Sequence, residues 1–275
     1  VRMLQERYPE ALALYAEVKD IFARLGEPGT VAVAWHQIAM VHQYAGQIEA
    51  AEHAYQESLK LKVQAGNRSG EAATFIGLGN LYSEMDRLED AVRFYRQASD
   101  RYAELGDRAR EGSARSNAAV ILIRLRRSAE ARIEVNRAME CGKEFGHASE
   151  PWTTFMILHD LERAEGREIP ALAARRQAVE FYLAYRRDGG ESTTPRGQLF
   201  DMVARQPDAA REWFAGAKQQ ADLPGYIVAL IPALEAVLDG SRDPALADNP
   251  EIDYDDAAEL LLLLETLSAR AGTAG

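Results

Sequence analysis

Hydrophobic positions along the chain follow the spacing of amphipathic helices. In residues 75–82 the apolar and small side chains fall at i, i+3, i+4 and i+7, namely at Phe75, Leu78, Gly79 and Tyr82. This spacing covers one face of a helix. A polar stretch, EMDRLED, follows, and a second helical face then comprises Ala91, Tyr95 and Ala98. The pattern predicts two consecutive helices joined by a short polar turn.

The same pattern recurs 40 residues away in both directions. Toward the N-terminus the matching positions are Trp35, Ile38, Ala39 and His42, then Ala51, Tyr55 and Ser58. Toward the C-terminus they are Ala118, Ala119 and Leu122, then Ala131, Val135 and Ala138. A weaker fourth unit has Phe155, Leu158 and His159, then Ala171 and Ala178, and a lone second helix before the first unit has Ala11, Tyr15 and Val18. A fixed period of this size indicates a stacked array of helical repeats.

A glycine closes each period at the same place. The four glycines are spaced by 40 residues and are Gly26, Gly66, Gly106 and Gly146. Glycine readily adopts the left-handed conformation that ends a helix. We therefore expect each of these glycines to end one helix and to let the chain turn into the next.

The pattern F-I-G-L-G-N-L-Y at residues 75–82, followed by A-V-R-F-Y-R-Q-A at residues 91–98, resembles the tetratricopeptide repeat. That family has W-x2-L-G-x2-Y followed by A-x3-F. The period of 40 is similar to the longer-helix variety of kinesin light chains and of many bacterial signalling proteins. The resemblance implies an all-α, right-handed superhelical solenoid of antiparallel helix pairs. Its units lie near residues 8–26, 30–66, 70–106, 110–146 and 150–186.

The period fails after the fifth of these units, which predicts a repeat array over residues 1–187 and a degenerate, acidic helical cap over residues 188–275. Helices are predicted near 196–205 and 207–221, and over an apolar stretch that Pro232 should kink or restart. A final helix carries three acidic residues at its first turn: Asp253, Asp255 and Asp256. Because a solenoid exposes an apolar end face, covering that face is the expected role of this region.

The net charge and the number of cysteines indicate which partners and which cellular compartment to expect. The net charge is −11, and residues 181–275 contribute 8 Lys and Arg against 16 Asp and Glu, which disfavours nucleic acid as the main partner. The single cysteine, Cys141, excludes an internal disulfide and fits a reducing, cytoplasmic compartment. No apolar run approaches the length of a membrane span, and no signal peptide is apparent. Because the sequence begins at Val1, we expect it to be part of a longer protein.

No motif for catalysis, a cofactor or a metal is present. The sequence lacks G-x-S-x-G, H-E-x-x-H and a P-loop. His36 and His42 are six residues apart, which does not place them on one helix face as metal ligands. Cys141 near the end of a predicted helix is expected to be buried and structural. We therefore predict a protein that is not an enzyme and binds no cofactor and no metal.

The family resemblance implies a concave groove, lined by the first helices of successive units, that holds an extended peptide or a helix of a partner protein. The implied groove residues are His36, Met40, Gln43, Tyr44, Ile76, Asn80, Ser83, Glu84, Ser116, Val120, Ile123, Arg124, Met156, Asp160 and Arg163. Many members use an asparagine at the Asn80 position to hold a ligand's backbone. The lysines with which chaperone-binding members hold a C-terminal carboxylate are missing from these positions. The alternative for each residue is that it covers a neighbouring helix.

An arginine-rich stretch in the third unit adds a second candidate surface, comprising Arg124, Arg126, Arg127, Arg132 and Arg137. It could receive an acidic or phosphorylated partner, pair with the acidic C-terminal region, or be a solvated face. Three function classes remain open from the sequence. They are a sensor or scaffold segment of a larger bacterial signalling protein, a stand-alone adaptor, and a nucleic-acid-binding regulator, which the charge disfavours. Nothing in the sequence fixes the partner's identity or the oligomeric state.

Overall fold

The computed structural model describes residues 7–220 and 222–273. Within these residues it contains 13 α-helices, two short 3-10 helices and no strand. The chain divides into two compact units, with the boundary between Phe145 and Gly146. The predicted fold class, all-α with antiparallel helix pairs in a repeat array, is confirmed.

The first unit is a run of seven helices of nearly constant length. They are α1 (Tyr8–Arg24), α2 (Pro28–Tyr44), α3 (Ile48–Gln64), α4 (Arg68–Glu84), α5 (Leu88–Glu104), α6 (Arg108–Arg124) and α7 (Ser128–Gly142). Helix α2 pairs with α3, α4 with α5 and α6 with α7, and each pair also packs on the next. The first helices of the pairs are thus α2, α4 and α6, and α1 is the lone second helix predicted from the sequence.

Turns with a left-handed residue occur every 20 residues, twice as often as the predicted glycine series. The eight positions of this series, all with positive φ, are Gly26, Gly46, Gly66, Asp86, Gly106, Arg126, Gly146 and Gly166. At Gly106 the helix end is closed by two backbone bonds, from the Gly106 amide to the Ala103 carbonyl (3.1 Å) and from the Asp107 amide to the Tyr102 carbonyl (2.9 Å). Three of the four predicted helix-ending glycines, Gly26, Gly66 and Gly106, are confirmed. The prediction for Gly146 is wrong, because α7 already ends at Gly142 and Gly146 begins a 3-10 helix. Each repeat also contains a second turn with a left-handed residue.

Small residues allow neighbouring helices to approach closely, both within a pair, at Gly79, and between successive pairs, at Gly77. A Cβ atom added at Gly79 would lie 2.6 Å from the ring of Tyr95, and one added at Gly77 would lie 2.5 Å from the ring of Tyr55. Ala39 and Ala119, at the positions that match Gly79, are fully buried. The aromatic rings therefore occupy the space that larger side chains on the first helices would fill.

The second unit contains six helices: α8 (Pro151–Ala164), α9 (Glu168–Arg187), α10 (Gly197–Arg205), α11 (Pro207–Ala217), α12 (Gly225–Leu238) and α13 (Tyr254–Thr273). Helices α8 and α9 form the fourth predicted pair, and α13 packs along α9. Their shared apolar core includes Trp152, Tyr182, Phe214, Leu230 and Leu260. Pro232 lies exposed inside α12. Of the two effects expected of Pro232, a kink or a restart, the restart is excluded, because α12 continues through it. The array boundary at residue 187 stays a prediction from the repeat period.

One arginine anchors the start of the last helix. Asp255 and Asp256 lie buried in the first turn of α13, with Asp253 just before it. Arg196 forms ion pairs with all three carboxylates, and Thr194 donates a hydrogen bond to Asp256 (2.6 Å). Burial raises the pKa of Asp256 to about 6. The three aspartates are the one group of potential metal ligands among the described residues. Arg196 already supplies positive charge to that group.

No helix in the described part of the chain is long and apolar enough to cross a membrane.

Candidate partner-binding face of the first helices

Twelve of the predicted groove residues lie on the first helices of the first unit, and we call this set the first-helix face. Its members are His36, Met40, Gln43, Tyr44, Ile76, Asn80, Ser83, Glu84, Ser116, Val120, Ile123 and Arg124. None of the twelve is fully buried, and five are exposed: Tyr44, Asn80, Glu84, Val120 and Arg124. The face therefore offers aromatic, aliphatic, amide and charged side chains to solvent. Its role in binding stays a prediction.

Two hydrogen bonds join neighbouring first helices at positions related by the 40-residue period. Gln43 on α2 donates to Glu84 on α4 over 2.7 Å, and Arg124 on α6 donates to Ser83 on α4 over 3.2 Å. Adding 40 to the numbers of the first pair gives the numbers of the second. The structure thus brings four of the predicted residues together in two equivalent contacts, which hold α2, α4 and α6 side by side.

Asn80 is held in place by a tyrosine of the second helix of its own pair. The hydroxyl of Tyr95 donates to the Oδ1 atom of Asn80 over 2.7 Å. Burial, helped by the charge of Glu84, raises the pKa of Tyr95 to about 12, so the phenol remains a donor at neutral pH. Within the described residues the Nδ2 group of Asn80 makes no hydrogen bond. Asn80 therefore presents an oriented amide donor to a ligand.

Arg124, which is predicted to bind a carboxylate of a ligand, already has a carboxylate partner within the chain. Its guanidinium pairs with Asp86 over 2.9 Å, and both side chains are exposed. Ion pairs of this kind contribute about 0–1 kcal/mol, so a ligand carboxylate can replace Asp86 at small cost. Elsewhere in the arginine-rich stretch, Arg127 pairs with Glu130 over 2.8 Å, and Arg126 is exposed.

A buried ion-pair network in the third repeat was not predicted. Arg115 donates to Glu111 (2.8 Å) and to Glu134 (3.0 Å), and Arg96 donates to Glu134 (2.9 Å) and to Glu130 (3.0 Å). Arg115 and Glu134 are buried. The network joins α5, α6 and α7. Only the Glu111–Arg115 spacing of four residues could have been seen in the sequence.

A lysine also reaches the first helices, from a position that the sequence analysis did not consider. Lys62, on the second helix α3, donates to the hydroxyl of Thr74 over 2.8 Å. The same hydroxyl lies 3.4 Å from Nδ1 of His36, whose ring meets Tyr55 edge to face. We call His36, Lys62 and Thr74 the basic cluster.

Burial changes the titration of two members of this cluster. It lowers the pKa of Lys62 to about 8. Burial and the charge of Lys62 together lower the pKa of His36 to about 4. At neutral pH Lys62 therefore carries the positive charge and His36 is neutral.

The remaining candidates lie elsewhere. Met156, Asp160 and Arg163 are on α8 in the second unit, where Met156 packs against the apolar core and the other two are exposed. Cys141 is buried on α7, as expected, and burial raises the pKa of its thiol. His42, whose position matches that of buried Tyr82 in the next repeat, is half-buried and bonds through Nδ1 to Gln47 over 2.6 Å.

Comparison with known proteins bears on the family and the fold. A family model described as "Tetratricopeptide repeat" matches residues 1–62, 30–104 and 70–144. The crystal structure of BtubC (BKLC) from P. vanneervenii is similar, with a TM-score of 0.60 and 20% sequence identity. The match covers 85% of this chain and 93% of that chain, and at this identity it shows the fold alone. Among curated proteins, no sequence matches this chain at a significant level.

Proposed function

This chain belongs to the tetratricopeptide repeat family, and we propose that it is a non-catalytic module that binds a peptide or partner protein on its first-helix face. Repeats of this family form scaffolds for protein–protein interaction. The observation that carries the proposal is the pair of equivalent contacts, Gln43–Glu84 and Ser83–Arg124. These contacts hold three helices side by side, and Tyr44, Asn80 and Val120 on those helices are exposed.

The chemistry of the exposed side chains supports a protein ligand. Interfaces are enriched in aromatic residues and arginine, which Tyr44 and Arg124 supply. Asn80 can donate to a backbone carbonyl, and Arg124 can form a bidentate bond with a carboxylate. We place the centre of the contact between these two residues, on α4 and α6.

We propose that the module works in the cytoplasm as the sensor or scaffold part of a larger bacterial signalling protein. The 40-residue period, similar to that of many such proteins, and the single buried cysteine support this setting. The alternative is a stand-alone adaptor. A nucleic-acid-binding regulator has less support, because the net charge of −11 opposes binding to phosphate backbones.

The test is selection of binding peptides from a random 15-residue display library, followed by affinity measurement with variants. We expect Asn80→Ala/Arg124→Ala to weaken binding of the selected peptides at least tenfold, because hot-spot truncations cost about 1–3 kcal/mol each. The matched control is Gln56→Ala/Arg93→Ala, which removes an exposed amide and an exposed guanidinium from the second helices α3 and α5. Equal affinity for both double variants would show that the ligand binds elsewhere.

A further inference from the structure

We propose that the basic cluster of His36, Lys62 and Thr74 is a subsite for a carboxylate of the bound peptide, either an acidic side chain or the C-terminal group. The inference rests on the proposed function, since it names a chemical group that the first-helix face would recognise.

The positions of the basic cluster are apolar in the next repeat. Adding 40 to their residue numbers gives Ile76, Tyr102 and Ala114. Tyr102 and Ala114 are buried in one apolar cluster, and Ile76 packs against it. The junction of α4, α5 and α6 is thus closed by ordinary apolar packing. At the junction of α2, α3 and α4, the same three positions hold an imidazole, an ammonium group and a hydroxyl.

A fourth position makes room for the lysine. A Cβ atom added at Gly70 would lie 2.9 Å from Cδ of Lys62. The matching residue in the next repeat is Arg110, whose guanidinium lies 5.9 Å from the ring centre of Tyr102. The absence of a side chain at Gly70 therefore accommodates the stem of Lys62. Four positions together distinguish this junction from its neighbour.

The charge of Lys62 has no counterpart in the described part of the chain. Its side chain is 4% exposed, its one hydrogen bond goes to the neutral Thr74, and it forms no ion pair with a described residue. A buried cation without a counter-charge is unfavourable. A carboxylate brought by a ligand would supply that counter-charge in a region of low dielectric, where the attraction is strong.

His36 connects the cluster to the surface. It is half-buried and belongs to the first-helix face, and the Thr74 hydroxyl joins it to Lys62. As a neutral imidazole it has one N–H donor. The ammonium of Lys62 sits on a flexible four-carbon stem and can follow a carboxylate bound at the imidazole. The cluster therefore offers the ammonium of Lys62 to an anion that reaches the imidazole of His36.

The first experiment uses acetate as the probe and needs no identified partner. The pKa values of Lys62 and of the exposed Lys60 are measured by NMR in the full chain, in chloride and in acetate at equal ionic strength. We expect 100 mM acetate to raise the pKa of Lys62 by at least about half a unit and to leave that of Lys60 unchanged, because an adjacent anion favours the charged form. Equal pKa values for Lys62 in acetate and chloride would overturn the proposal.

The second experiment separates this subsite from the proposed function. Lys62→Met should bind peptides selected on the wild-type chain with about tenfold lower affinity. Lys60→Met should bind the same peptides with the affinity of the wild type. If Lys62→Met binds normally while Asn80→Ala/Arg124→Ala does not, the subsite is wrong and the first-helix face remains the binding site. If all three variants bind normally, the proposed function fails as well.

Discussion

The unpaired charge of Lys62 predicts that replacing this lysine with methionine stabilises the protein. Methionine keeps an unbranched side chain of similar length and removes the ammonium group. Burial lowers the pKa of Lys62 from 10.5 to about 8, so holding the charged form in the folded state at pH 7 costs about 3 kcal/mol. Loss of the hydrogen bond to Thr74 offsets about 1.5 kcal/mol of the gain. Lys62→Met should therefore raise the free energy of unfolding by about 1–3 kcal/mol.

The pH dependence of this gain has a fixed sign. The pKa of Lys62 is lower in the folded than in the unfolded state, so the unfolded chain binds more protons between about pH 8 and 10.5. Wild-type stability therefore rises with pH over this interval, and the variant lacks this rise. The cost that the charge imposes falls from about 3 kcal/mol at pH 7 to about 1 kcal/mol at pH 10, so the advantage of Lys62→Met should shrink by about 2 kcal/mol.

The assay is urea unfolding followed by the fluorescence of Trp35, with Trp152 and Trp213 replaced by phenylalanine in every protein compared. Trp35 lies in the first unit, on α2, next to His36 of the basic cluster. Lys60→Met, at an exposed site two residues away, should change stability by less than about 0.5 kcal/mol. A destabilised Lys62→Met protein at pH 7, or an effect that is equal at pH 7 and pH 10, would refute the reasoning.

Three further predictions test other parts of the structure. Gly106 and Arg126 both have positive φ, so Gly106→Ala should lower the free energy of unfolding by about 1 kcal/mol and Arg126→Gly should raise it by up to about 1 kcal/mol. Thermal unfolding measures both changes, and effects of the same sign and size would contradict this. Glu134→Ala should cost about 3 kcal/mol in urea unfolding, because it removes the buried carboxylate that Arg115 and Arg96 share. Glu130→Ala should cost under about 1 kcal/mol, and similar costs for the two variants would argue against the network. The pKa of His36, about 4, lies below its ordinary 6.5, so the free energy of unfolding should fall by about 1–2 kcal/mol from pH 7 to pH 5. This fall should be smaller in His36→Gln than in the wild type, and the same as the wild type in His53→Gln. An equal fall in the two variants would contradict this.

Helix ends could be predicted where glycine marks them, and not where another residue takes the same conformation. Gly26, Gly66 and Gly106 are visible because glycine is the usual left-handed residue. The second turn has glycine at Gly46 and Gly166, but Asp86 and Arg126 take the same conformation between them, so no glycine series marks this turn in the sequence. The glycine series therefore indicated one turn in each repeat, while the backbone makes two.

The candidate face could be predicted from the family's register, whereas its contacts depend on residues far apart in the chain. The repeat pattern placed Gln43 and Arg124 on first helices, where the structure has them. Lys62 was missed because a lysine near a helix end is usually solvated, and only comparison with buried Tyr102 reveals the substitution. In the second unit, the pairing of Arg196 with Asp256 joins residues 60 positions apart that share no repeat.

The most direct test of the central claim is site-specific photocrosslinking of a selected peptide to the two kinds of helix. A benzoylphenylalanine would replace Val120 on the first helix α6 in one protein and Ile133 on the second helix α7 in another. Both residues are exposed aliphatic side chains, 41% and 53% respectively, in the same helix pair. We predict that the peptide crosslinks at position 120 and not at position 133. Crosslinking at 133 without crosslinking at 120 would contradict the assignment of the first-helix face as the binding surface.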